Sequence, residues 1–333
     1  MAATSIGTLT RLASASFPKV AVRMNKSVTA IDASFSFEAV RARNGRLFVV
    51  ALDGSGIAAT ALRLALALAS SKDGLFVVSV ETPETDANEL NHPRRVLAKA
   101  ETTVAATGID YQLVHLSAKK ADGVDGKVAK WRMLAGSIVS LVEAVDADLV
   151  LMGSRGLAVT AYTSATAEEL GSVAAACLDV IQHPIAVVKS ETASVAADAG
   201  IAMAFDGSPV SLRALRMAHG YARKMGSSLH VCSVLTATRG ESALTELMAS
   251  ALEVEPNLDA LQAIGVDVAF LDREGSVAET IMAHIEPLAP LATVLCTATI
   301  FHSEHLLGSV SRRMVRRGKF NILLVKPTED DDA

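Results

Sequence analysis

The chain has 333 residues, of which 50% are hydrophobic and 20% are charged, with a formal net charge of −5. The length favours two domains, and the apolar content excludes an intrinsically disordered chain. Aromatic residues make up only 4% of the chain and no long run of Lys or Arg occurs, so we expect no nucleic-acid partner. Apolar runs such as "LFVVAL" fall well short of the roughly 18 residues that span a membrane. These features predict a soluble, intracellular protein.

The N-terminal segment has a composition of its own. Residues 1–31 contain no Asp or Glu but carry four Lys and Arg residues, and Ser, Thr and Ala dominate them. This composition is typical of an organelle transit peptide, and a disordered tail is the alternative. We therefore expect residues 1–43 to be disordered or to be removed in the mature protein. A transit peptide would place the protein in a plastid or a mitochondrion; otherwise we expect it in the cytoplasm. At the other end, the acidic residues 328–333 are expected to form a solvated tail.

The rest of the chain is a tandem repeat. "ALDGSGIAATALRLALALASSKDGLFVVSV" and "AFDGSPVSLRALRMAHGYARKMGSSLHVCSV" share Asp-Gly-Ser, Ala-Leu-Arg and a closing Ser-Val. Further on, "ELGSV" followed by "IAVVKS" matches "LLGSV" followed by "ILLVKP". A duplication explains this order. It predicts domains at 44–190 and 198–327, joined by the small-residue linker "SETASVAADAG".

Within each copy, short apolar runs rich in β-branched residues alternate with longer runs of helical periodicity. This alternation predicts an α/β fold: two tandem, doubly wound, parallel five-stranded domains of the Rossmann-like kind. The predicted strands are Arg46–Leu52, Leu75–Val80, Asp110–Leu116, Asp148–Met152, Ile185–Lys189, Gly200–Phe205, Ser228–Leu235, Val266–Leu271, Thr293–Cys296 and Asn321–Val325. An exposed apolar sheet edge is unfavourable. We therefore expect the closing strands "IAVVK" and "ILLVK" to pair and form an intramolecular pseudo-dimer, with a homodimer as a further possibility.

Asp53 and Asp206 follow the first predicted strand of each copy. In open α/β sheets, ligands bind beyond the carboxyl ends of the strands, where a carboxylate can accept hydrogen bonds from a ribose or an adenine amino group. The alternative interpretation is structural, because "DGS" before a helix is a common helix cap.

A glycine-rich turn after the fourth strand is the stronger functional signal. "GSRG" leaves the sheet at Gly153 and "GS" opens the last helix at Gly171. Backbone N–H groups of such a turn and of a helix N-terminus can converge on an anion such as a phosphate. Arg155 either pairs with that phosphate or is solvated, and the sequence leaves both alternatives open.

Three motifs in this order resemble those of the universal stress protein family: "VVALDGSGIAATALRLAL", "DLVLMGSRG" and "GSVAAACLDVIQHPIAVVK". The resemblance covers residues 46–189 and 200–326, so the chain is similar to a tandem member. It implies a five-stranded doubly wound fold. In one branch of the family it also implies ATP binding, with or without Mg²⁺, through Gly-x-x-Gly-x9-Gly followed by Ser or Thr.

The resemblance assigns cofactor-binding positions to six residues: Asp53, Val80, Gly153, Gly156, Gly171 and Ser172. Asp53 and the backbone of Val80 correspond to the adenine side, and the glycines with Ser172 correspond to the phosphate side. The spacing departs from the family motif, because fourteen residues, Leu157 to Leu170, separate the second glycine from the third. We expect this longer loop to turn outward, which leaves a modified but usable nucleotide site. The alternative is that the loop folds over the crevice and blocks the site.

The second copy departs further from the motif. The first two glycines are replaced by Leu295 or Cys296 and by Ala298, and only Gly308 and Ser309 remain. A side chain at the first position is expected to crowd a phosphate loop. The second copy is therefore predicted to bind ATP weakly or not at all.

Other clusters favour structural roles. "HSEH" at 302–305 lacks a third metal ligand and predicts a polar loop rather than a metal site. The basic stretches "NHPRRVLAK" and "RRMVRRGK" predict solvated helix faces. Three cysteines in apolar runs are predicted to be buried thiols: Cys177, Cys232 and Cys296.

No nucleophile, base and orienting group can be assembled from the sequence, so we expect no enzymatic turnover. The leading hypothesis is a nucleotide-binding regulatory module of the stress-response type. The alternative is a pseudo-dimer scaffold for protein interaction that binds no nucleotide. A slow ATP hydrolase is the third class, since a bound triphosphate needs little beyond an aligned water.

Overall fold

The computed structural model describes residues 37–82, 92–118, 127–156, 170–189, 199–235, 240–297 and 307–328. Each of the ten predicted strands is present there, with its ends shifted by at most one residue. The strands are β1 Leu47–Ala51, β2 Gly74–Glu81, β3 Asp110–Ser117, β4 Leu149–Gly153, β5 Ile185–Val188, β6 Ile201–Ala204, β7 Leu229–Val234, β8 Val266–Leu271, β9 Ala292–Cys296 and β10 Ile322–Val325.

Ten α-helices lie within the described residues, together with short 3₁₀ turns at Ala105–Thr107 and Glu286–Leu288. The helices are α1 Phe37–Ala42, α2 Gly56–Leu68, α3 Pro93–Val104, α4 Lys127–Val145, α5 Ser172–Val180, α6 Pro209–Met225, α7 Glu241–Ala251, α8 Leu258–Ala263, α9 Val277–Ile285 and α10 Ser309–Arg317. None of the helices in the described part of the chain is both long and apolar enough to cross a membrane.

All ten strands form one sheet, in the order β3-β2-β1-β4-β5-β10-β9-β6-β7-β8. Within domain 1 (β1–β5) and domain 2 (β6–β10) the neighbouring strands are parallel. At the seam, β5 and β10 pair antiparallel, with Ala186 opposite Leu323. The predicted α/β fold and the predicted pairing of the closing strands are thus both confirmed. The domain boundaries 44–190 and 198–327 remain predictions.

The sheet is buried on both faces, as its nearly continuous Val, Ile and Leu strands require. One face is covered by α2, α3, α6, α7 and α8, and its core runs across both domains from Phe48 to Tyr221. The other face is covered by α4, α5, α9 and α10. Because each core contains residues of both domains, apolar burial holds the two domains together.

Two buried lysines reinforce the seam in a reciprocal way. Lys189, directly after β5, donates a hydrogen bond to the carbonyl of Val315 in the last turn of α10. Lys326, directly after β10, donates to the carbonyls of Leu178 and Ile181 at the end of α5. Each closing strand therefore supplies a cation to the C-terminal end of a helix in the other domain, where the helix dipole is negative.

Helix α1 corrects the expected N-terminal boundary. Val40 is fully buried in the core, and Arg41 forms an ion pair with Asp148 at 2.7 Å. Residues 37–43 are therefore folded onto domain 1, contrary to the expectation that residues up to 43 are unstructured. This helix has no periodic pattern in the sequence, because six residues are too short for one and the helix depends on its tertiary contacts.

Several predictions lie outside the described residues. These are the transit or disordered character of residues 1–36, the enlarged loop at 157–169, the linker at 190–198, the "HSEH" stretch and the acidic tail from 329. The cysteine prediction is confirmed for Cys177 and Cys232, whereas Cys296 is only half-buried. Burial raises the pKa of the Cys177 and Cys232 thiols to about 12.

Candidate functional site

The order of the strands creates a crevice between β1 and β4 in domain 1. These strands are neighbours, but the chain continues from β1 to β2 on one side and from β4 to β5 on the other. Connections leaving in opposite directions open a gap at the carboxyl ends of the two strands, which is where doubly wound sheets bind ligands. Five of the six predicted site residues lie around this gap.

Asp53 sits in a tight turn directly after β1. Its Oδ1 accepts a hydrogen bond from the backbone N of Ser55 at 3.0 Å, and Gly54 takes φ +86°, a conformation that favours glycine. The helix cap of α2 is Ser55, whose Oγ accepts from the N of Ala58 at 3.1 Å. The structural interpretation of "DGS" is thus correct for Ser55. The carboxylate of Asp53 fixes the turn through Oδ1, and its Oδ2 lies beside Gly156 of the glycine turn.

The glycine turn packs closely on its surroundings. A Cβ on Gly156 would lie 2.8 Å from Oδ2 of Asp53, and a Cβ on Gly153 would lie 3.1 Å from the side chain of Ile57. A Cβ on Gly171 would lie 3.3 Å from the carbonyl oxygen of Ser154. The three glycines and Asp53 therefore converge at one place, where added side chains would be tightly packed against the protein.

Helix α5 begins beside this turn without a side-chain cap. Its N-cap is Gly171, and no side-chain hydrogen bond closes the N-terminus. Ser172 is the first helical residue and is exposed. Ser172 does not cap the helix, because a residue already inside the first turn has helical backbone angles and its Oγ does not reach the next N–H groups as a cap does. The first turn of α5 therefore has no side-chain cap for its N–H groups.

Arg155 is half-buried rather than fully solvated. Its Nε is buried with no hydrogen-bond partner among the described residues, as is the Oγ of Ser154. Burial and the nearby Arg155 charge lower the pKa of Lys189 to about 8. The charge of Arg155 thus acts on the seam lysine Lys189.

Val80 lies one strand further from the glycine turn. The ladder between β1 and β2 ends with Ala51 opposite Val78, and the N of Leu52 donates to the carbonyl of Val78 at 2.8 Å. Val80 is two residues beyond this last rung, so its backbone groups on the β1 side point past the end of β1. This is the orientation that the adenine-side assignment requires.

Domain 2 has the same turn geometry with different side chains. Oδ1 of Asp206 accepts from the N of Ser208 at 2.9 Å, and α10 starts at an N-cap glycine, Gly308, again without a side-chain cap. Val188 pairs with Gly153 in domain 1, and Val325, the equivalent of Val188, pairs with Cys296 in domain 2. The register therefore identifies Cys296, not Leu295, as the replacement of Gly153. Ala298 lies outside the described residues.

A polar cluster that sequence reasoning missed lies at the carboxyl ends of β2 and β3. Nε2 of His115 is 2.8 Å from Oε2 of Glu81, and Nε2 of His92 is 3.7 Å from Oε1. Both histidines are buried. Arg94 and Arg95 are exposed, as the solvated-face prediction for "NHPRRVLAK" required. The missed signal was the position of these residues, since Glu81 is the last residue of β2 and His115 lies two residues before the end of β3.

The described residues contain no group of three or more His, Cys, Asp or Glu side chains arranged to hold a metal ion. The site therefore offers glycine turns, helix N-termini and a carboxylate, which suit a phosphate-bearing organic ligand.

Comparison with known proteins gives a consistent picture. The model of the universal stress protein family matches residues 46–189 and again residues 200–326. A universal stress protein from Archaeoglobus fulgidus DSM 4304 is 18% identical, with a TM-score of 0.60 over 84% of this chain and 98% of that one. A putative universal stress protein from Pseudomonas aeruginosa UCBPP-PA14 is 14% identical, with a TM-score of 0.58 over 87% and 95%. These structures share the fold. No curated protein matches the sequence.

Proposed function

Since the chain belongs to the universal stress protein family, with two family domains in tandem, we propose that it is a nucleotide-binding regulatory module whose ATP site lies in domain 1. The proposal extends to a role in stress response, which is a family-level property. Domain 2 in this proposal is a structural partner that binds ATP weakly or not at all.

One observation carries the proposal: Asp53, Gly153, Gly156 and Gly171 converge at the β1–β4 crevice. The separation of a Gly156 Cβ from Oδ2 of Asp53 would be only 2.8 Å. A ligand lying across this turn would meet the carboxylate and the backbone N–H groups together. The uncapped start of α5 adds favourable potential for a phosphate.

Domain 2 supports the assignment by contrast. Cys296 occupies the position of Gly153, and the carbonyl of Cys296 accepts a hydrogen bond from Oγ of Ser311 at 2.7 Å. A side chain and an internal hydrogen bond thus occupy the place where domain 1 keeps a bare backbone turn. Asp206 is also more exposed than Asp53, so a nucleotide would gain less from it by burial.

A matched pair of substitutions tests the proposal. Asp53→Asn keeps an oxygen for the turn to Ser55 but replaces the crevice-side acceptor with a donor. Asp206→Asn makes the same change in domain 2. In calorimetric titrations of the full chain with ATP and Mg²⁺, we expect Asp53→Asn to weaken binding about tenfold or more and Asp206→Asn to leave it unchanged. Equal losses would refute the assignment to domain 1.

The scaffold hypothesis remains the second candidate, and the tight packing of the glycines supports it. A Cβ on Gly153 or on Gly171 would make a tight contact, 3.1 Å from Ile57 and 3.3 Å from the carbonyl oxygen of Ser154, so close packing within the fold favours glycine at both positions without any ligand. The same titration separates the two functions. Absence of binding by the parent chain at about millimolar ATP, a concentration that detects contacts worth roughly 4 kcal/mol, would favour the scaffold.

A further inference from the structure

A serine, a histidine and an aspartate meet in domain 2, at the amino ends of β7 and β8. Ser228 directly precedes β7, His230 is the second residue of that strand, and Asp267 is the second residue of β8. Oγ of Ser228 lies 3.2 Å from Nε2 of His230. Nδ1 of the same ring lies 3.4 Å from Oδ2 of Asp267. The histidine therefore joins the hydroxyl to the carboxylate through its two different nitrogens.

The carboxylate of Asp267 determines which ring nitrogen carries the proton. A negative oxygen beside Nδ1 favours the neutral tautomer of His230 that is protonated on Nδ1. Nε2 is then an acceptor, so the hydroxyl of Ser228 donates in the 3.2 Å contact. A hydroxyl that donates to an imidazole oriented by a third group is the arrangement of an activated nucleophile. The 3.4 Å contact to Asp267 is long, as such contacts often are before a substrate binds.

The sheet itself holds the three groups together. Residues 228 and 230 are two positions apart, so their side chains lie on the same face of the sheet. His230 is paired with Asp267 in the ladder between β7 and β8. The carbonyl of Ser228 accepts a hydrogen bond from the N of Ile201 in β6 at 3.1 Å. The geometry is therefore fixed by paired strands, which position side chains more rigidly than loops do.

Domain 1 shows that the fold does not require this set of residues. In the same register, domain 1 has other residues at the three positions: Gly74 for Ser228, Phe76 for His230 and Gln112 for Asp267. Phe76 is buried, whereas Ser228 and His230 are half-buried and Asp267 is exposed. The place that is closed and apolar in domain 1 is thus polar and open to solvent in domain 2.

Gly200 lies against the imidazole of His230. It occupies the position of Leu47, which is fully buried in domain 1. A Cβ on Gly200 would lie 3.1 Å from both Cδ2 and Nε2 of His230. A side chain there would press on the nitrogen that faces Ser228, so glycine leaves that nitrogen free to exchange a proton. The close approach of this backbone to the ring favours a small reaction partner.

We propose that Ser228 is an activated nucleophile that accepts the acyl group of small esters, with His230 as its general base and Asp267 as the residue that positions the histidine. Oγ of Ser228 attacks the carbonyl carbon of the ester while its proton passes to Nε2 of His230. The bond from that carbon to the alcohol oxygen then breaks, and His230 returns the proton to the departing alcohol. Water hydrolyses the acyl-serine by the same two proton transfers, which releases a carboxylic acid and restores the hydroxyl.

The probe is p-nitrophenyl acetate, because it is a small ester whose leaving group is observed directly. After incubation of the full chain with this ester, peptide mass spectrometry should find an acetyl group on Ser228, and nitrophenol should be released faster than without protein. Ser228→Ala should abolish both signals. The matched control is Ser227→Ala, which removes a hydroxyl that contacts the carbonyl of Ala222 rather than a histidine. This control should react like the parent chain.

Further variants separate the general base from the carboxylate. His230→Gln should lower the rate of acetylation about a hundredfold, which is the size of effect that a general base produces. His230→Phe, which copies Phe76 of domain 1, should give the same loss. Asp267→Asn should lower the rate about tenfold, because an amide no longer favours the proton on Nδ1. Asp267→Glu should restore most of the rate, a recovery that a purely structural role would not produce.

Two results would overturn the proposal. Acetyl groups found on surface lysines and not on Ser228 would show only the ordinary reactivity of amines. Acetylation of Ser228 at the parent rate in both histidine variants would show that His230 is not its base. Circular dichroism checks that each variant is folded. None of these readouts depends on ATP, because the three residues lie in domain 2 and not at the β1–β4 crevice.

Discussion

The two domains of this protein have the same strand order, the same Asp-Gly-Ser turn and the same seam, yet they differ wherever a strand ends. Domain 1 has Gly153, Glu81 and His115 at these positions, and domain 2 has Cys296, Leu235 and Phe270 in the same register. The shared features are those that the fold requires. The features confined to domain 1 are a glycine in the turn after β4 and a buried pair of polar side chains, Glu81 and His115.

A further difference lies at the opposite, amino ends of the strands. Asp73 of domain 1 is buried and accepts from the N and Nη2 of Arg46, both at 2.8 Å. The guanidinium of Arg46 lies 4.6 Å from the ring centre of Tyr221 in domain 2. The corresponding positions of domain 2 are Ala199 and Ser227. Domain 2 has no equivalent of this ion pair. In domain 1 the pair stabilises the domain itself and, through Tyr221, its contact with domain 2.

The largest change in stability is expected when this ion pair is broken. Asp73→Ser, which copies Ser227, should lower the free energy of unfolding by about 3–5 kcal/mol, because it leaves a half-buried Arg46 cation without its carboxylate. Adding Arg46→Ala, which copies Ala199, should recover part of the loss. Urea denaturation checks both variants, and a double variant less stable than Asp73→Ser would contradict the pairing.

The carboxylate of Asp73 also makes the stability of the folded state depend on pH in the acidic range. Burial alone would raise the pKa of Asp73, but its hydrogen bonds from Arg46 and Ser70 and the Arg46 charge outweigh burial and lower it. The stabilisation is therefore fully present above the unfolded value near pH 4 and is lost as the pH falls through the lower folded value. Asp73→Ser should accordingly be less sensitive to pH in this range than the parent chain.

The next effect concerns the reciprocal lysines of the seam. Burial lowers the pKa of Lys189 and of Lys326 from 10.5 to about 8. Between these values the unfolded chain binds more protons than the folded one, so each lysine makes the folded state more stable as the pH rises. Relative to Lys189→Met or Lys326→Met, the parent chain should gain on the order of 3 kcal/mol across this window.

Differences between parent and variant must be used for this measurement, because the buried thiols of Cys177 and Cys232 act in the opposite direction. Their pKa values are raised to about 12, so their contribution falls as the pH rises past the ordinary thiol value. Lys319→Met, at an exposed position, is the control. A pH dependence as large for Lys319→Met as for Lys326→Met would contradict the role of burial.

The smallest effect distinguishes the two lysines from each other. The charge of Arg155 helps to lower the pKa of Lys189, whereas Asp179 opposes the shift at Lys326. Arg155→Gln should therefore raise the pKa of Lys189 by about half a unit and leave Lys326 unchanged. Nuclear magnetic resonance of ¹³Cε-labelled lysine measures both, and equal shifts would show that Arg155 acts through the seam as a whole.

The sequence was sufficient for the architecture. Ten apolar strands, their alternation with helices, the repeat and the pairing of "IAVVK" with "ILLVK" were all predicted, because strands buried on both faces leave a continuous apolar pattern that depends on local residues. Asp53, Gly153, Gly156 and Gly171 were also predicted to meet. Their convergence follows from topology, since residues that end neighbouring parallel strands share one edge of the sheet.

Only the tertiary structure decided the contacts that join residues far apart in the chain. The burial of Val40 in helix α1, the reach of Lys326 to the end of α5 and the facing of His115 and Glu81 have no local signature in the sequence. Each depends on which side chains meet across strands or domains, and a polar residue in an apolar run looks the same whether it is solvated or buried against a partner. Burial and partnership set the pKa and the binding chemistry of such residues, so their roles become visible only when the fold brings the partners together.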